Sequence, residues 1–160
     1  MKLLTFDQSK CTNCGACSAV CSLEKKGVVQ PAQARIRIKA ASAENGEKVL
    51  RASVCQHCAR PVCVTACMKG IVHKDPETGF VSREKEGCIA CAACAVMCPV
   101  GAAVLDTDAN AFLTCDLCGG NPACVKVCSS GALSYADPAE ASAAFRNSYA
   151  LKAVGRGLVK

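Results

Sequence analysis

The cysteines constrain this chain more than any other feature. The 160 residues include 16 cysteines, which fall into four groups of four, here called quartets one to four. The quartets are Cys11, Cys14, Cys17 and Cys21; Cys55, Cys58, Cys63 and Cys67; Cys88, Cys91, Cys94 and Cys98; and Cys115, Cys118, Cys124 and Cys128. Quartets one and three have the spacing C-x2-C-x2-C-x3-C, whereas the middle gap has four residues in quartet two and five in quartet four. The pattern indicates an internal repeat in which each unit presents four thiols.

The rest of the composition favours bound metal over disulfides. Hydrophobic residues make up 51% of the chain, yet only four Phe, two Tyr and no Trp are present to fill a core. The N-terminal segment of ten residues is short and polar. No stretch of the chain approaches the roughly 20 apolar residues of a membrane span. We therefore expect a cytoplasmic protein without a membrane span. In a reducing cytoplasm, so many thiols indicate metal ligation.

The spacing of quartets one and three is typical of [4Fe–4S] binding. In the bacterial ferredoxin pattern three cysteines ligate one cluster, and the fourth ligates the other cluster of a pair. Small residues in these loops let the backbone approach a cluster closely; they are Gly15, Ala16, Ala90, Ala92 and Ala93. Zinc is the alternative metal, but four-cysteine zinc sites need only two C-x2-C pairs separated by a longer loop.

Over about Lys10 to Ala136 the sequence resembles the four-cluster iron–sulfur subunits of multi-subunit oxidoreductases. That family serves molybdenum and tungsten enzymes, formate dehydrogenases, hydrogenases and carbon monoxide dehydrogenase. The shared features are all four quartets, the KDPETG turn before quartet three and the segment TCDLCGGNPACVKVC. The chain departs from the family pattern in having Ser22, Met68 and Ser129, not proline, after a last cysteine, and Ala90 where glycine is common.

The resemblance implies four [4Fe–4S] clusters whose quartets exchange their fourth cysteines. Quartets two and three are separated by 20 residues, about as in a two-cluster ferredoxin, which supports the exchange between them. The implied ligands are Cys11, Cys14, Cys17 and Cys128 for cluster 1; Cys115, Cys118, Cys124 and Cys21 for cluster 2; Cys55, Cys58, Cys63 and Cys98 for cluster 3; and Cys88, Cys91, Cys94 and Cys67 for cluster 4.

The implied fold is α+β, with two nested bacterial-ferredoxin-like units of short β-hairpins and short helices around the clusters. An inner unit over about 52–104 is inserted between outer halves 1–51 and 105–136, and residues 137–160 form a C-terminal helical extension. Residue patterns predict strands over Arg35–Lys39 and Lys48–Val54, with the turn between them in AENG. They also predict hairpins over Ile71–Ser82 and Ala102–Leu113.

We interpret the chain as an electron-transfer subunit without a catalytic site of its own. The expected partners are a catalytic subunit, above all a tungsten or molybdenum enzyme such as an aldehyde oxidoreductase or formate dehydrogenase, and a flavin- or NAD-linked subunit or a ferredoxin. Copies of the chain itself are a further candidate partner. The alternatives are a free polyferredoxin shuttle and a zinc-binding interaction module.

The charge and a few single residues leave further alternatives open. The formal charge of +6 is offset by about −8 from four oxidised clusters, so we expect no nucleic-acid partner. His57 either tunes a cluster or faces solvent from a loop. The basic residues Arg35, Arg37 and Lys39 form either a solvated strand face or a docking patch, and Lys126 either raises the potential of a cluster or points outward.

Overall fold

The computed structural model describes residues 1–42, 48–137 and 139–140. Over these residues the chain forms four two-stranded antiparallel sheets, four α-helices and two 3-10 turns. The strands are β1 (Leu3–Phe6), β2 (Arg37–Ser42), β3 (Lys48–Ser53), β4 (Val72–Lys74), β5 (Val81–Arg83), β6 (Val104–Asp106), β7 (Ala111–Leu113) and β8 (Leu133–Ala136). The helices are α1 (Ala16–Lys26), α2 (Val62–Thr65), α3 (Ala93–Val96) and α4 (Ala123–Lys126), and the 3-10 turns are Pro31–Gln33 and Leu117–Gly120. This is the α+β content expected from the sequence.

The first and last strands pair with each other. Strand β1 is antiparallel to β8, with Leu3 opposite Ala136 and Phe6 opposite Leu133. Leu4 and Leu133 are both buried in the core. The sheet therefore holds the two ends of the described chain together, and the sequence patterns predicted neither strand.

The hairpin of β2 and β3 differs from the predicted one at its first strand. The prediction placed that strand over Arg35–Lys39, whereas β2 begins at Arg37 and runs to Ser42. Arg35 lies outside the ladder because its backbone N–H donates to Cys21 Sγ at 3.3 Å. The predicted AENG turn lies outside the described residues.

The two hairpins predicted near quartet three are confirmed, and they are built alike. Strand β4 pairs with β5, and β6 pairs with β7. In the first turn the Asp75 carboxylate accepts the N–H groups of residues 77 and 78 at 2.8 and 2.9 Å. In the second turn the Asp106 carboxylate accepts those of residues 108 and 109 at 3.1 and 3.0 Å. An aspartate side chain thus accepts two amide hydrogens in each turn.

Helix α1 has 11 residues, whereas α2, α3 and α4 have four each. After each short helix the chain turns at the last cysteine of the quartet. The N–H groups of Gly70, Gly101 and Gly131 donate at 3.0 Å to the carbonyls of Cys67, Cys98 and Cys128. In quartet one the helix continues past Cys21 instead. There Ser22 is fully buried, donates to the Ala19 carbonyl at 2.8 Å and accepts the N–H of Gln30 at 2.9 Å.

A small core joins these elements, and cysteines form much of it. Ile36, Leu117 and Val54 are the largest fully buried apolar side chains. The buried cysteines packed with them are Cys17, Cys21, Cys55, Cys115 and Cys124. Helix α1 packs against α4, and α2 packs against α3. Within the described residues, no helix is long and apolar enough to cross a membrane. Most of the predicted C-terminal helix, residues 137–160, lies outside the described residues.

Candidate metal centres

Four cysteines line a cavity between quartets two and three, here called cavity A. These cysteines are Cys67, Cys88, Cys91 and Cys94. The cavity also has an apolar wall that includes Met68, Ile89 and Phe112. Three of its cysteines come from quartet three, and the other is the last cysteine of quartet two.

A second cavity is also lined by four cysteines and is here called cavity B. Its cysteines are Cys21, Cys115, Cys118 and Cys124, so that three come from quartet four and one is the last of quartet one. The cysteines surround a volume in each case. Among the described residues, no three His, Cys, Asp or Glu side chains are arranged to hold a single metal ion.

The other eight cysteines line neither of these cavities. Burial raises the pKa of Cys63, Arg83 opposes the rise, and the nearby thiolates of Cys98 and Cys58 add to it. Burial likewise raises the pKa of Cys17, and the charges of Cys11 and Cys14 contribute. Cys128 packs on the buried core that contains Cys17.

All four cysteine loops share one backbone feature, a left-handed residue before the second cysteine. These residues are Asn13, His57, Ala90 and Leu117, with φ of 55°, 43°, 51° and 55°. In this conformation the N–H groups of Asn13 and Leu117 each donate at 3.4 Å to the sulfur of the preceding cysteine. The sequence showed that the loops contain small residues. It did not show that the residue before the second cysteine is left-handed in all four loops, because the four side chains at that position have nothing in common.

The last cysteine of each quartet receives backbone amide hydrogens. The N–H groups of Arg35, Ala102 and Leu133 donate to Cys21, Cys98 and Cys128 at 3.3, 3.3 and 3.4 Å. Burial would raise the pKa of Cys67, but the backbone N–H of Ile71 and its neighbours lower it overall. Amide hydrogens stabilise thiolate over thiol, which suits a metal ligand.

The buried thiols fit a cationic cofactor. Burial raises the pKa of Cys115 to about 12, and burial also raises the pKa of Cys124 to about 12. Without metal these thiols are protonated at neutral pH, because desolvation outweighs the other effects on both thiolates. Iron binding supplies that charge and releases the protons.

An ion-pair cluster lies at cavity B, and it changes the interpretation of the basic strand residues. Lys25 and Arg35 pair with Asp116 at 2.9 and 2.8 Å, and all three line the cavity. Arg37 donates to the Gly101 carbonyl at 2.8 Å. Both interpretations of the basic strand, a solvated face or a docking patch, are therefore wrong for Arg35 and Arg37, whose charged groups bond within the protein. Only Lys39 of the three is exposed.

His57 is buried, with 3% of its surface exposed. Its Nδ1 accepts the Val81 N–H at 3.0 Å, and its ring meets Phe80 edge-on with centroids 5.2 Å apart. Burial lowers its pKa, so the ring is neutral near pH 7. The interpretation of His57 as a loop residue facing solvent is wrong. Lys126 is exposed, which agrees with the alternative that its side chain points outward.

Two sequence families match the chain. A 4Fe-4S dicluster domain matches residues 46–138, which include quartets two, three and four. A 4Fe-4S binding domain matches residues 4–22, which include quartet one.

Curated relatives are similar over most of the chain. The beta subunit of the NADH-dependent phenylglyoxylate dehydrogenase of Aromatoleum evansii is 36% identical over 82% of this chain, which spans only 29% of that protein. The polyferredoxin-like subunit of the aliphatic sulfonate oxidoreductase of Pyrococcus furiosus is 36% identical over 79% of this chain and 69% of its own length. The thiosulfate reductase electron transfer subunit PhsB of Salmonella typhi is 30% identical over 83% of this chain and 74% of its own length.

Proposed function

The chain belongs to the 4Fe-4S dicluster family, and from this we infer that it relays single electrons through four [4Fe–4S] clusters. The resemblance to iron–sulfur subunits stated from the sequence is confirmed by both family matches. Relatives named as a beta subunit, a polyferredoxin-like subunit and an electron transfer subunit support a role as the electron-transfer component of an oxidoreductase complex. The chain itself transfers electrons and is not the catalytic subunit.

We propose the exchanged ligand sets given above for the four clusters. The observation that carries this proposal is the composition of cavities A and B. Each is lined by three cysteines of one quartet and the last cysteine of another, which are the sets proposed for clusters 4 and 2. Clusters 3 and 1 would take the two remaining sets of cysteines. The electrostatic effect of Cys98 on Cys63 supports the set proposed for cluster 3.

The nested arrangement of the chain is part of the same proposal. The inner unit, about 52–104, would hold clusters 3 and 4, and the outer halves, 1–51 and 105–136, would hold clusters 1 and 2. Packing of α2 on α3 within the inner unit, and of α1 on α4 between the outer halves, supports this division. The pairing of β1 with β8 supports the closure of the outer unit. The C-terminal helical extension, 137–160, remains a proposal from the sequence.

The residues of the chain have three tasks in this function. When bound, a [4Fe–4S] cluster accepts or releases one electron at a potential that the protein sets. The apolar residues that line cavity A lower the polarity around a cluster, the amide hydrogens at each last cysteine stabilise the thiolate ligands, and the left-handed loop residues bring the backbone close to the ligands. None of these tasks requires an acid, a base or a nucleophile.

The exposure of the cysteines indicates where electrons enter and leave. Cys14 of proposed cluster 1 and Cys91 of proposed cluster 4 are exposed. None of the eight cysteines of proposed clusters 2 and 3, all of them described, is exposed. We therefore expect the partners to bind near Cys14 and Cys91, at opposite ends of the series.

We propose a catalytic metal enzyme at one end, with tungsten or molybdenum enzymes such as an aldehyde oxidoreductase or formate dehydrogenase as the leading candidates. A flavin- or NAD-linked subunit or a ferredoxin would bind at the other end. The NADH-dependent enzyme among the relatives supports the second kind of partner. A reducing cytoplasm is the proposed location, since so many cysteines must be kept reduced to serve as ligands.

Anaerobic purification of the tagged full chain from its own cells tests this function. We expect about 16 iron and 16 sulfide per chain, from four iron and four sulfide in each cluster, and a large subunit in stoichiometric amount. A chain that purifies alone with all its iron would contradict the subunit role and favour a free shuttle. A chain that holds zinc and no sulfide would overturn the proposed function altogether.

A further inference from the structure

Arg83 lies between the cysteines of two different proposed clusters. It is the last residue of β5, and its side chain lines cavity A with the four cysteines proposed for cluster 4. Burial raises the pKa of Cys55 and of Cys63, two proposed ligands of cluster 3, and the positive charge of Arg83 opposes the rise at both. One guanidinium therefore lines the cavity of the cluster 4 ligands and acts electrostatically on two ligands of cluster 3.

The charge of Arg83 has no carboxylate partner among the described residues. Its Nε donates to Thr114 Oγ1 at 3.2 Å, and one of its terminal nitrogens, NH1, is buried without a hydrogen-bond partner. Lys25 and Arg35 pair with Asp116, and Lys26 pairs with Asp106. Arg37 donates to the Gly101 carbonyl. Arg83 is half-buried, and a charge partly removed from water without a counter-charge is costly, so a fold retains it only where something else offsets it.

We propose that Arg83 is the shared counter-charge of clusters 3 and 4, and that it makes both clusters easier to reduce. The inference rests on the ligand sets of the proposed function. An oxidised cluster with four thiolates carries about −2, and each added electron increases that negative charge. A fixed cation nearby therefore stabilises the reduced form more than the oxidised form. Because Arg83 acts by charge and ligates no iron, it is a positioning residue that sets potentials.

Potentiometric titration of the iron-loaded full chain, followed by electron paramagnetic resonance, tests the role of Arg83. Arg83→Gln keeps a polar side chain, shorter by two atoms, and removes the charge. We expect the equilibrium constant for reduction to fall about tenfold for both inner clusters, which is about 59 mV for a one-electron couple. The signals of clusters 1 and 2 should move much less. The signals that disappear in Cys63→Ala and Cys94→Ala identify the inner clusters.

Two control variants are needed. Arg83→Lys tests whether the charge matters and not the arginine side chain as such, and Lys69→Gln tests whether any nearby positive charge has the same effect. Arg83→Lys retains the cation and should restore the equilibrium constant to within about threefold of the wild type. Lys69→Gln removes an exposed cation at the rim of the same cavity and should change it less than about twofold, because water screens that charge. Inner-cluster potentials that stay unchanged in Arg83→Gln, or an equal shift in Lys69→Gln, would overturn the proposal.

A second pair of variants covers the case in which Arg83→Gln fails to retain its iron. Thr114→Asp keeps the guanidinium but supplies a carboxylate at the position that its Nε already contacts. It should lower the same two potentials relative to Thr114→Asn, and equal potentials in the two Thr114 variants would contradict the role of Arg83. A wild-type chain without reducible iron–sulfur signals would instead refute the proposed function, so the two failures are distinguishable.

Discussion

Replacement of Ser22 by proline tests whether α1 continues through the last cysteine of quartet one. In the family pattern a proline often follows the last cysteine, as Pro99 follows Cys98 here. From sequence alone Ser22→Pro therefore looks harmless. In the structure Ser22 lies within the 11-residue helix α1 and is fully buried.

The expected cost follows from the helix and from the serine hydroxyl. A proline inside a helix costs about 3 kcal/mol or more, because it removes a backbone hydrogen bond and clashes with the preceding turn. The two hydrogen bonds of Ser22 Oγ contribute about 1 kcal/mol each. The total is about 5 kcal/mol, which is comparable to the whole stability of many small domains. Cys21, a proposed ligand of cluster 2, would be displaced with the helix.

Met68→Pro is the matched control, because Met68 follows Cys67 in the same turn that Pro99 occupies after Cys98. In both turns the glycine N–H donates to the cysteine carbonyl at 3.0 Å. The side chain of Met68 is also largely exposed, at 82%. We expect this variant to differ from the wild type by less than about 1 kcal/mol.

The assay compares iron content and the temperature at which half of the iron–sulfur absorbance is lost, at one fixed heating rate because the loss is irreversible. Ser22→Pro should purify with about one cluster fewer, or not fold, while Met68→Pro should match the wild type. Equal iron content and equal half-loss temperatures in the two variants would refute the reasoning.

Three further predictions concern the core, the cofactor and an ion pair. His57→Phe keeps an aromatic ring but leaves the Val81 N–H without its acceptor, which costs about 1–3 kcal/mol, so the half-loss temperature should fall. His73→Phe, at an exposed position, should leave that temperature almost unchanged. Removal of iron with a chelator under reducing conditions should abolish most of the far-ultraviolet circular dichroism, because metal binding and folding are coupled, and a stripped chain with an unchanged spectrum would contradict this. Lys26→Met and Asp106→Asn should each lower the half-loss temperature, since these side chains pair at 2.6 Å, and the double variant should lose less than the sum.

The sequence was sufficient for the features that depend on local spacing. The quartets predicted the iron–sulfur loops, and the turns at Asp75 and Asp106 predicted two hairpins that the structure contains. These predictions succeeded because a turn or a ligand loop is specified by residues that are close together in the chain.

The features that the sequence missed depend on distant partners. Strand β1 has only four residues, and its partner β8 begins at Leu133, so no local sequence pattern predicts it. Arg35 and Arg37 look like a solvated face until the fold brings Asp116 and the Gly101 carbonyl to them. The burial of His57 likewise depends on Phe80 and Val81, which lie in the β4–β5 hairpin and are distant from His57 in the sequence.

The exchange of ligands between quartets is the central claim, and Cys98→Ala tests it most directly. Cys98 lies in the same loop as Cys94 but is proposed to ligate cluster 3, together with Cys63. The measurement is the electron paramagnetic resonance spectrum of the reduced chain for Cys98→Ala, Cys63→Ala and Cys94→Ala. Cys98→Ala should lose or alter the same signal as Cys63→Ala and retain the signal that Cys94→Ala loses. If Cys98→Ala instead loses the signal lost in Cys94→Ala, quartet three holds its own cluster and the exchange is wrong.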